Sequence, residues 1–135
     1  MRAVCIGRHQ ILSEHFCSFF RDAGMECVSA VGAGDGVAVV RAQCPDVVIC
    51  DYDLLRPTLI REWERDAWLG EIPIIAVSMT RRPEEARLAG TAPVVDFLYL
   101  PLVHEADVAG SVRRASASVI HASSAPGRSE IQARL

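Results

Sequence analysis

The sequence lacks several features that would place it directly in a functional class. No apolar run approaches the roughly 20 residues of a membrane-spanning helix, and the N-terminus MRAVCIG lacks the long apolar region of a secretory signal. Its 14 basic residues do not exceed its 17 acidic ones, so it lacks the basic excess that is typical of nucleic-acid-binding domains. We therefore expect a cytoplasmic protein that contacts neither a membrane nor nucleic acid directly.

The cysteines offer no recognisable disulfide or metal framework. There are five, an odd number, and none forms a C-x-x-C pair. The four histidines do not cluster with them, so no zinc site is expected. We predict reduced and mostly buried thiols that behave as small hydrophobic groups.

The length and the order of apolar segments predict one α/β domain. A chain of 135 residues that is 50% hydrophobic can bury the core of a single domain. Five apolar, β-favouring runs alternate with five segments of helical spacing, which predicts a parallel sheet covered on both faces. The predicted strands are residues 3–6, 26–31, 46–50, 72–78 and 94–99. The predicted helices are residues 9–23, 34–44, 57–69, 82–89 and 105–120. The domain should span residues 1–121, and residues 122–135 have the composition of a mobile tail or linker.

One strand ends in a way that an apolar core does not explain. The stretch DVVICDYD runs from a fully apolar segment directly into Asp51. In parallel α/β sheets, ligands bind beyond the carboxyl ends of the strands. Asp51 is therefore predicted to lie where such proteins keep their chemistry, together with Arg8, Ser78 and Leu100, which follow or end other strands.

The segments PDVVICDYD, IPIIAVS and DFLYLP, taken in order, resemble the receiver domain of two-component response regulators, the CheY-like family. The resemblance covers residues 1 to about 121. It implies a five-stranded parallel sheet in the order 2-1-3-4-5. It also implies a site in which an acidic pair and an acceptor Asp hold Mg²⁺, and in which a hydroxyl and a Lys stabilise the phosphoryl group.

Three positions match what the resemblance implies. Asp51 falls at the phosphoacceptor position, Ser78 at the hydroxyl position, and Phe97 at the position of the aromatic switch residue. A Phe at the last position lacks the hydroxyl that a Tyr would carry.

The departures bear directly on metal binding. The acidic pair falls on Gly7 and Arg8, the Lys position is Leu100, and the bulky Met79 stands where a small residue would admit phosphodonors. A guanidinium at position 8 would compete with Mg²⁺ and could pair with Asp51 instead. We therefore expect no metal, no cofactor and no enzymatic activity.

Two functional hypotheses remain open. The first is a pseudo-receiver that binds a protein partner, an output domain or a second copy of itself. The resemblance implies a contact surface formed by the fourth helix, the fifth strand and the fifth helix. Its charged residues would be Arg82, Arg87, Asp96, Asp107, Arg113 and Arg114. The alternative is a working phosphoacceptor, phosphorylated at Asp51 by a histidine kinase and controlling an output or partner. Asp53 is expected to be simply exposed.

Overall fold

The structure, a computed structural model, describes residues 1–85 and 93–123, with the backbone alone for residues 119–123. The strands are β1 (Arg2–Gly7), β2 (Glu26–Val31), β3 (Val47–Asp51), β4 (Ile74–Ser78) and β5 (Val94–Tyr99). The α-helices of the described residues are α1 (Gln10–Asp22), α2 (Ala33–Gln43), α3 (Pro57–Arg65) and α4 (Glu105–Ser123). Within those residues, no helix has both the length and the apolar character needed to cross a bilayer.

The sheet has the predicted topology. All neighbouring strands are parallel, and their order is β2-β1-β3-β4-β5. The register pairs Ile6 of β1 with Cys50 of β3, and Asp51 of β3 with Val77 of β4. The carboxyl ends of the three central strands therefore meet at one edge of the sheet.

The strands are buried on both faces because helices cover each side. Alternate residues of β3 enter different clusters: Val47 and Ile49 pack on the side of α1 and α4, whereas Val48 and Cys50 pack on the side of α2 and α3. This two-sided burial explains why the strands read as continuous apolar runs in the sequence.

The structure alters several predicted boundaries. Helix α3 ends at Arg65 instead of residue 69 because the Asp66 carboxylate accepts hydrogen bonds from the backbone N–H groups of Trp68 and Leu69, each at 3.0 Å. Those bonds begin a 3₁₀ turn, Leu69–Glu71, in place of the last helical turn. Helix α4 runs to Ser123, past the predicted end at residue 120.

Two predictions concern residues outside the described ranges. Of the predicted helix at 82–89, the structure describes only residues 82–85, where Pro83–Glu85 form a 3₁₀ turn. Residues 86–89, including Arg87, lie outside the described residues. The same holds for residues 124–135 of the predicted tail.

A buried serine fixes helix α1 against the sheet. The Ser13 hydroxyl accepts a hydrogen bond from the Gly7 N–H at 2.9 Å and donates to the Ala30 carbonyl at 2.7 Å. One side chain therefore joins α1 to the ends of β1 and β2. His9 caps the same helix, since its Nδ1 accepts from the Leu12 N–H at 3.3 Å.

Replacing this serine should destabilise the fold more than replacing an exposed one. Ser13→Ala leaves the buried Gly7 N–H and Ala30 carbonyl each without one partner, which should cost about 1–3 kcal/mol. The control is Ser18→Ala on the exposed face of α1, expected within about 0.5 kcal/mol of the parent protein. Urea denaturation measures both. Equal midpoints for the two variants would show that Ser13 does not tie the helix to the sheet.

Candidate functional site

An ion pair joins the ends of β1 and β3. The Arg8 Nε donates to the Asp51 Oδ2 at 2.7 Å. The Asp51 side chain is 2% exposed and the Arg8 side chain 46% exposed, so a buried carboxylate is covered by a half-exposed guanidinium. The predicted Arg8–Asp51 pair is confirmed.

The second oxygen of Asp51 is also occupied. Oδ1 accepts a hydrogen bond from the Asp53 backbone N–H at 3.0 Å and so caps the short 3₁₀ turn Tyr52–Leu54. Asp51 therefore has a structural role at both oxygens: one holds the arginine and the other holds the turn. A carboxylate used in this way is less available as a nucleophile or a metal ligand.

Asp53 takes part in the same network, and the expectation that it is simply exposed was wrong. Its carboxylate accepts from the Arg81 Nε at 2.8 Å and lies 3.5 Å from the Arg8 Nη1. The side chain is only 24% exposed. The hydrogen bond and the charge of Asp53 raise the pKa of Arg81 above its usual value. The turn after β3 and the loop after β4 bring these groups together.

Ser78 positions the loop that carries Arg81. Its buried hydroxyl accepts hydrogen bonds from the backbone N–H groups of Thr80, at 3.1 Å, and Arg81, at 2.8 Å. The residue thus caps the end of β4, as serines at strand ends often do. In this arrangement the lone pairs of the Ser78 hydroxyl oxygen point toward the backbone N–H groups of the loop after β4.

An aromatic contact connects the network to the last strand. The Arg81 guanidinium lies over the Tyr52 ring, with 5.8 Å between its central carbon and the ring centroid. The Tyr52 ring meets the Phe97 ring edge-to-face, with 5.5 Å between centroids. Phe97, which the resemblance places at the aromatic switch position, therefore packs beside the turn that Asp51 caps. Sequence reasoning did not identify Arg81 or Tyr52 as parts of the site, although the pair of arginines after Ser78 was a visible signal.

The residues present do not fit a magnesium ion. In the described ranges, no group of three or more His, Cys, Asp or Glu side chains is placed to hold a metal. Arg8 and Arg81 already supply two positive charges to the two carboxylates of Asp51 and Asp53. Two arginines together carry the same charge as one divalent cation. The carboxylates are therefore already neutralised, and their attraction for a metal ion is weak.

An acidic side chain at position 7 would not fit the present packing. A Cβ built at Gly7 would lie 2.8 Å from both the backbone nitrogen and the hydroxyl oxygen of Ser13. Contacts this short with backbone require a shift of the helix. The glycine at one acidic-pair position is therefore coupled to the way α1 docks on the sheet.

The remaining predicted site residues lie at the same edge of the sheet. Leu100 is 3% exposed and packs in the core with Val108, and Met79, directly after Ser78, is 36% exposed. The chain contains no lysine at all, and its 14 basic residues are all arginine. Leu100 stands where the resemblance implies a Lys, and the chain has no lysine elsewhere that could take that role.

Comparison with known structures identifies the fold. No protein-family model and no curated protein matches the sequence. Solved structures do match: the chemotaxis response regulator CheY4 of Vibrio cholerae is 14% identical with a TM-score of 0.65, over 84% of this chain and 97% of that one. The chain has the receiver-domain fold. A response regulator receiver domain from Clostridium thermocellum is 18% identical with a TM-score of 0.66, over 89% and 94% of the two chains.

A further match shows this fold within a longer protein. NtrX from Brucella abortus, solved in complex with ADP, is 19% identical with a TM-score of 0.73. The match covers 89% of this chain but 27% of NtrX. At such identities the likeness establishes the receiver-domain fold and leaves the chemistry to the residues of this chain.

The ion pair at the site should contribute measurably to stability. Arg8→Ala leaves the Asp51 carboxylate buried without its guanidinium, and we expect a loss of about 1–3 kcal/mol in the free energy of unfolding. The control is Glu26→Ala, which removes the exposed partner of Arg2, 3.5 Å away, and should change stability by less than about 1 kcal/mol. Urea denaturation at low ionic strength compares the two. Equal effects would mean that Asp51 does not depend on Arg8.

Proposed function

We propose that this chain is a signalling module with the receiver-domain fold that binds a protein partner without Mg²⁺-dependent phosphorylation of Asp51. The observation that carries the proposal is the 2.7 Å bond between the Arg8 Nε and the Asp51 Oδ2. It places a fixed positive charge against the carboxylate that would have to attack a phosphoryl donor. In this proposal the chain keeps the receiver-domain fold, but the Asp51 carboxylate that would be phosphorylated is held in an ion pair with Arg8.

The chemistry of phosphoryl transfer supports this reading. The attacking oxygen needs access to the phosphorus atom, and cations must neutralise charge on the phosphoryl oxygens. Here Asp51 is 2% exposed and both of its oxygens accept hydrogen bonds. Met79, beside Ser78, would narrow the approach further.

One observation favours the alternative, a working phosphoacceptor at Asp51. Arg8 and Arg81 are the type of residue that binds phosphate oxygens in a planar, bidentate manner. If Arg8 moved away from Asp51, the two guanidinium groups could stabilise a transferred phosphoryl group without a metal. This route requires Asp51 to lose its buried ion pair before the reaction, which makes it the second choice.

The surface along β5 is the proposed contact with a partner. A groove of about 280 Å³ runs along this edge strand, and its apolar lining includes Phe97, Tyr99 and Leu102. Leu102 is 64% exposed, so its aliphatic side chain at this groove is accessible to a partner. An apolar centre with a charged rim is the usual composition of a protein–protein contact.

Four of the charged residues of this surface are engaged within the chain itself. Asp96 binds both Arg114 and the Ser111 hydroxyl, Arg82 lies over the Tyr99 ring, and Asp107 accepts from the His104 N–H. Exchange of an Asp96–Arg114 pair between two subunits is therefore not the basis of the contact that we propose. The exposed apolar residues carry it instead. NtrX, in which the matching region is a quarter of the chain, supports a joined output domain as one form that the partner could take.

Metal dependence tests the central claim. The thermal midpoint of the parent protein should not rise with millimolar Mg²⁺, with or without beryllofluoride. Arg8→Asp supplies one carboxylate beside Asp51 and Asp53, so its midpoint should rise with Mg²⁺, because a ligand that binds only the folded state stabilises it.

Arg8→Asn is the matched control, since it removes the guanidinium without adding a charge. It should respond to Mg²⁺ much less than Arg8→Asp. A parent protein that is stabilised by Mg²⁺ with beryllofluoride, with shifts in the amide resonances of Asp51 and Ser78, would establish the phosphoacceptor alternative.

Self-association tests the proposed surface when the partner is a second copy. Sedimentation over a concentration series should show weak dimerisation of the parent protein. Leu102→Glu should abolish it by placing a charge in the groove. Ile11→Glu is the control, because Ile11 is 80% exposed on α1 and does not line the groove. A parent protein that remains monomeric rules out the homodimer and leaves a different protein as partner.

A further inference from the structure

A groove of about 570 Å³ lies between the end of α1 and the first half of α4. Its floor is apolar and includes Phe19, Val103 and Val112, which are half-buried and pack on the core cluster of that side of the sheet. The proposed function makes no use of this α1–α4 groove. An apolar floor that is left half exposed is a place where further aliphatic side chains can be buried.

The rim of the α1–α4 groove is charged, with an acidic excess. Asp22 at the end of α1 and Glu105 at the start of α4 are both exposed. Arg113 supplies the opposite charge, and the neighbouring His104 is neutral at pH 7. An occupant that fits this groove should therefore carry aliphatic side chains for the floor and more positive than negative charge for the rim.

The part of the chain that follows α4 has this chemistry. Residues 128–135 read RSEIQARL, with two arginines and one glutamate, the reverse of the charges on the groove. Ile131 and Leu135 are four positions apart, so they share one side of the segment whether it is extended or helical. Pro126 and Gly127 come directly before it, and a Pro-Gly pair typically turns the chain back on itself.

The length of the segment is also sufficient. Helix α4 ends at Ser123, and a rise of about 1.5 Å per residue puts Val112 about 16 Å and Glu105 about 27 Å back along the helix. Residues 124–135 can span up to about 40 Å when extended. A reversal at Pro126–Gly127 therefore lets the segment run back along α4 as far as the groove.

We propose that residues 128–135 fold back and occupy the α1–α4 groove as a tethered ligand. Ile131 and Leu135 cover the apolar floor at Phe19 and Val112, and the arginines of the segment lie beside the acidic rim. A short flexible link supplies an effective concentration of about millimolar, so even a small contact is occupied. The occupied face is closed to other proteins, and this inference does not depend on the proposed function.

Isotope-edited NMR of the full chain tests the contact directly. We expect nuclear Overhauser effects from the methyl groups of Ile131 and Leu135 to the Phe19 ring and the Val112 methyl groups. In a mixture of two differently labelled samples, none should connect one chain with another. Effects only between chains would show that a second copy fills the groove and would overturn the proposal. The absence of any such effect would overturn it as well.

A pair of variants with the same added charge tests the apolar face of the segment. Ile131→Glu should shift the Phe19 ring and Val112 methyl resonances and remove the effects from Leu135, because a carboxylate is costly to bury on the floor. Gln132→Glu adds the same charge at the next position, off the side shared by Ile131 and Leu135, and should leave them in place. Equal shifts in the two variants would show that this side does not dock.

A peptide in trans tests the rim. The N-acetylated peptide RSEIQARL, added to the Ile131→Glu protein, should restore the parent resonances at about millimolar concentration. Asp22→Asn in that protein should weaken the peptide about two- to fivefold, as the loss of one exposed ion pair would. Asp35→Asn, an exposed position on α2, is the matched control and should change nothing. A peptide that moves no resonance at about ten millimolar would overturn the proposal, and equal affinities for the two Asn variants would refute its electrostatic part.

Discussion

A carboxylate buried at the end of a central strand needs a positive charge within reach, and the architecture around Asp51 follows from that need. A divalent ion would require further oxygen ligands. The carboxyl end of β1 supplies none from side chains, because the residues there are Gly7 and Arg8. The Arg8 guanidinium meets the requirement alone, with a charge and a directed hydrogen bond from one side chain. Parallel pairing of β1 with β3 brings it to Asp51, since Ile6 and Cys50 are in register immediately before them.

The network is close to electrically neutral and is built entirely from groups of the chain itself. Two arginines and two aspartates balance one another, with Asp53 between Arg8 and Arg81. A metal ion can exchange with solvent, whereas the Arg8 guanidinium stays tethered to the chain by its own side chain. The charges of Asp51 and Asp53 are already compensated by the two arginines, so little attraction remains for an exchangeable ion. The edge-to-face contact of Phe97 with Tyr52 packs beside the same turn.

The parts that could be predicted from the sequence depend on regular patterns. Apolar runs alternating with helical periodicity predict the parallel sheet, and neighbouring strand ends predict that Arg8 meets Asp51. The roles of Asp53 and Arg81 escaped prediction because both lie in turns. Their meeting depends on the cap that Asp51 provides at one turn and on the two N–H groups that Ser78 binds at the other. The early end of α3 follows from the Asp66 carboxylate, which competes with the helix for backbone N–H groups.

Helix α1 ties the position of the ion pair to the packing of the core. It begins directly after Arg8 and His9, and it carries Phe16 and Cys17 into the buried cluster on its side of the sheet. The Ser13 hydroxyl fastens the helix to the Gly7 N–H and the Ala30 carbonyl. A side chain at Gly7 would collide with Ser13. The contact that docks the helix therefore also holds the end of β1, from which Arg8 reaches Asp51.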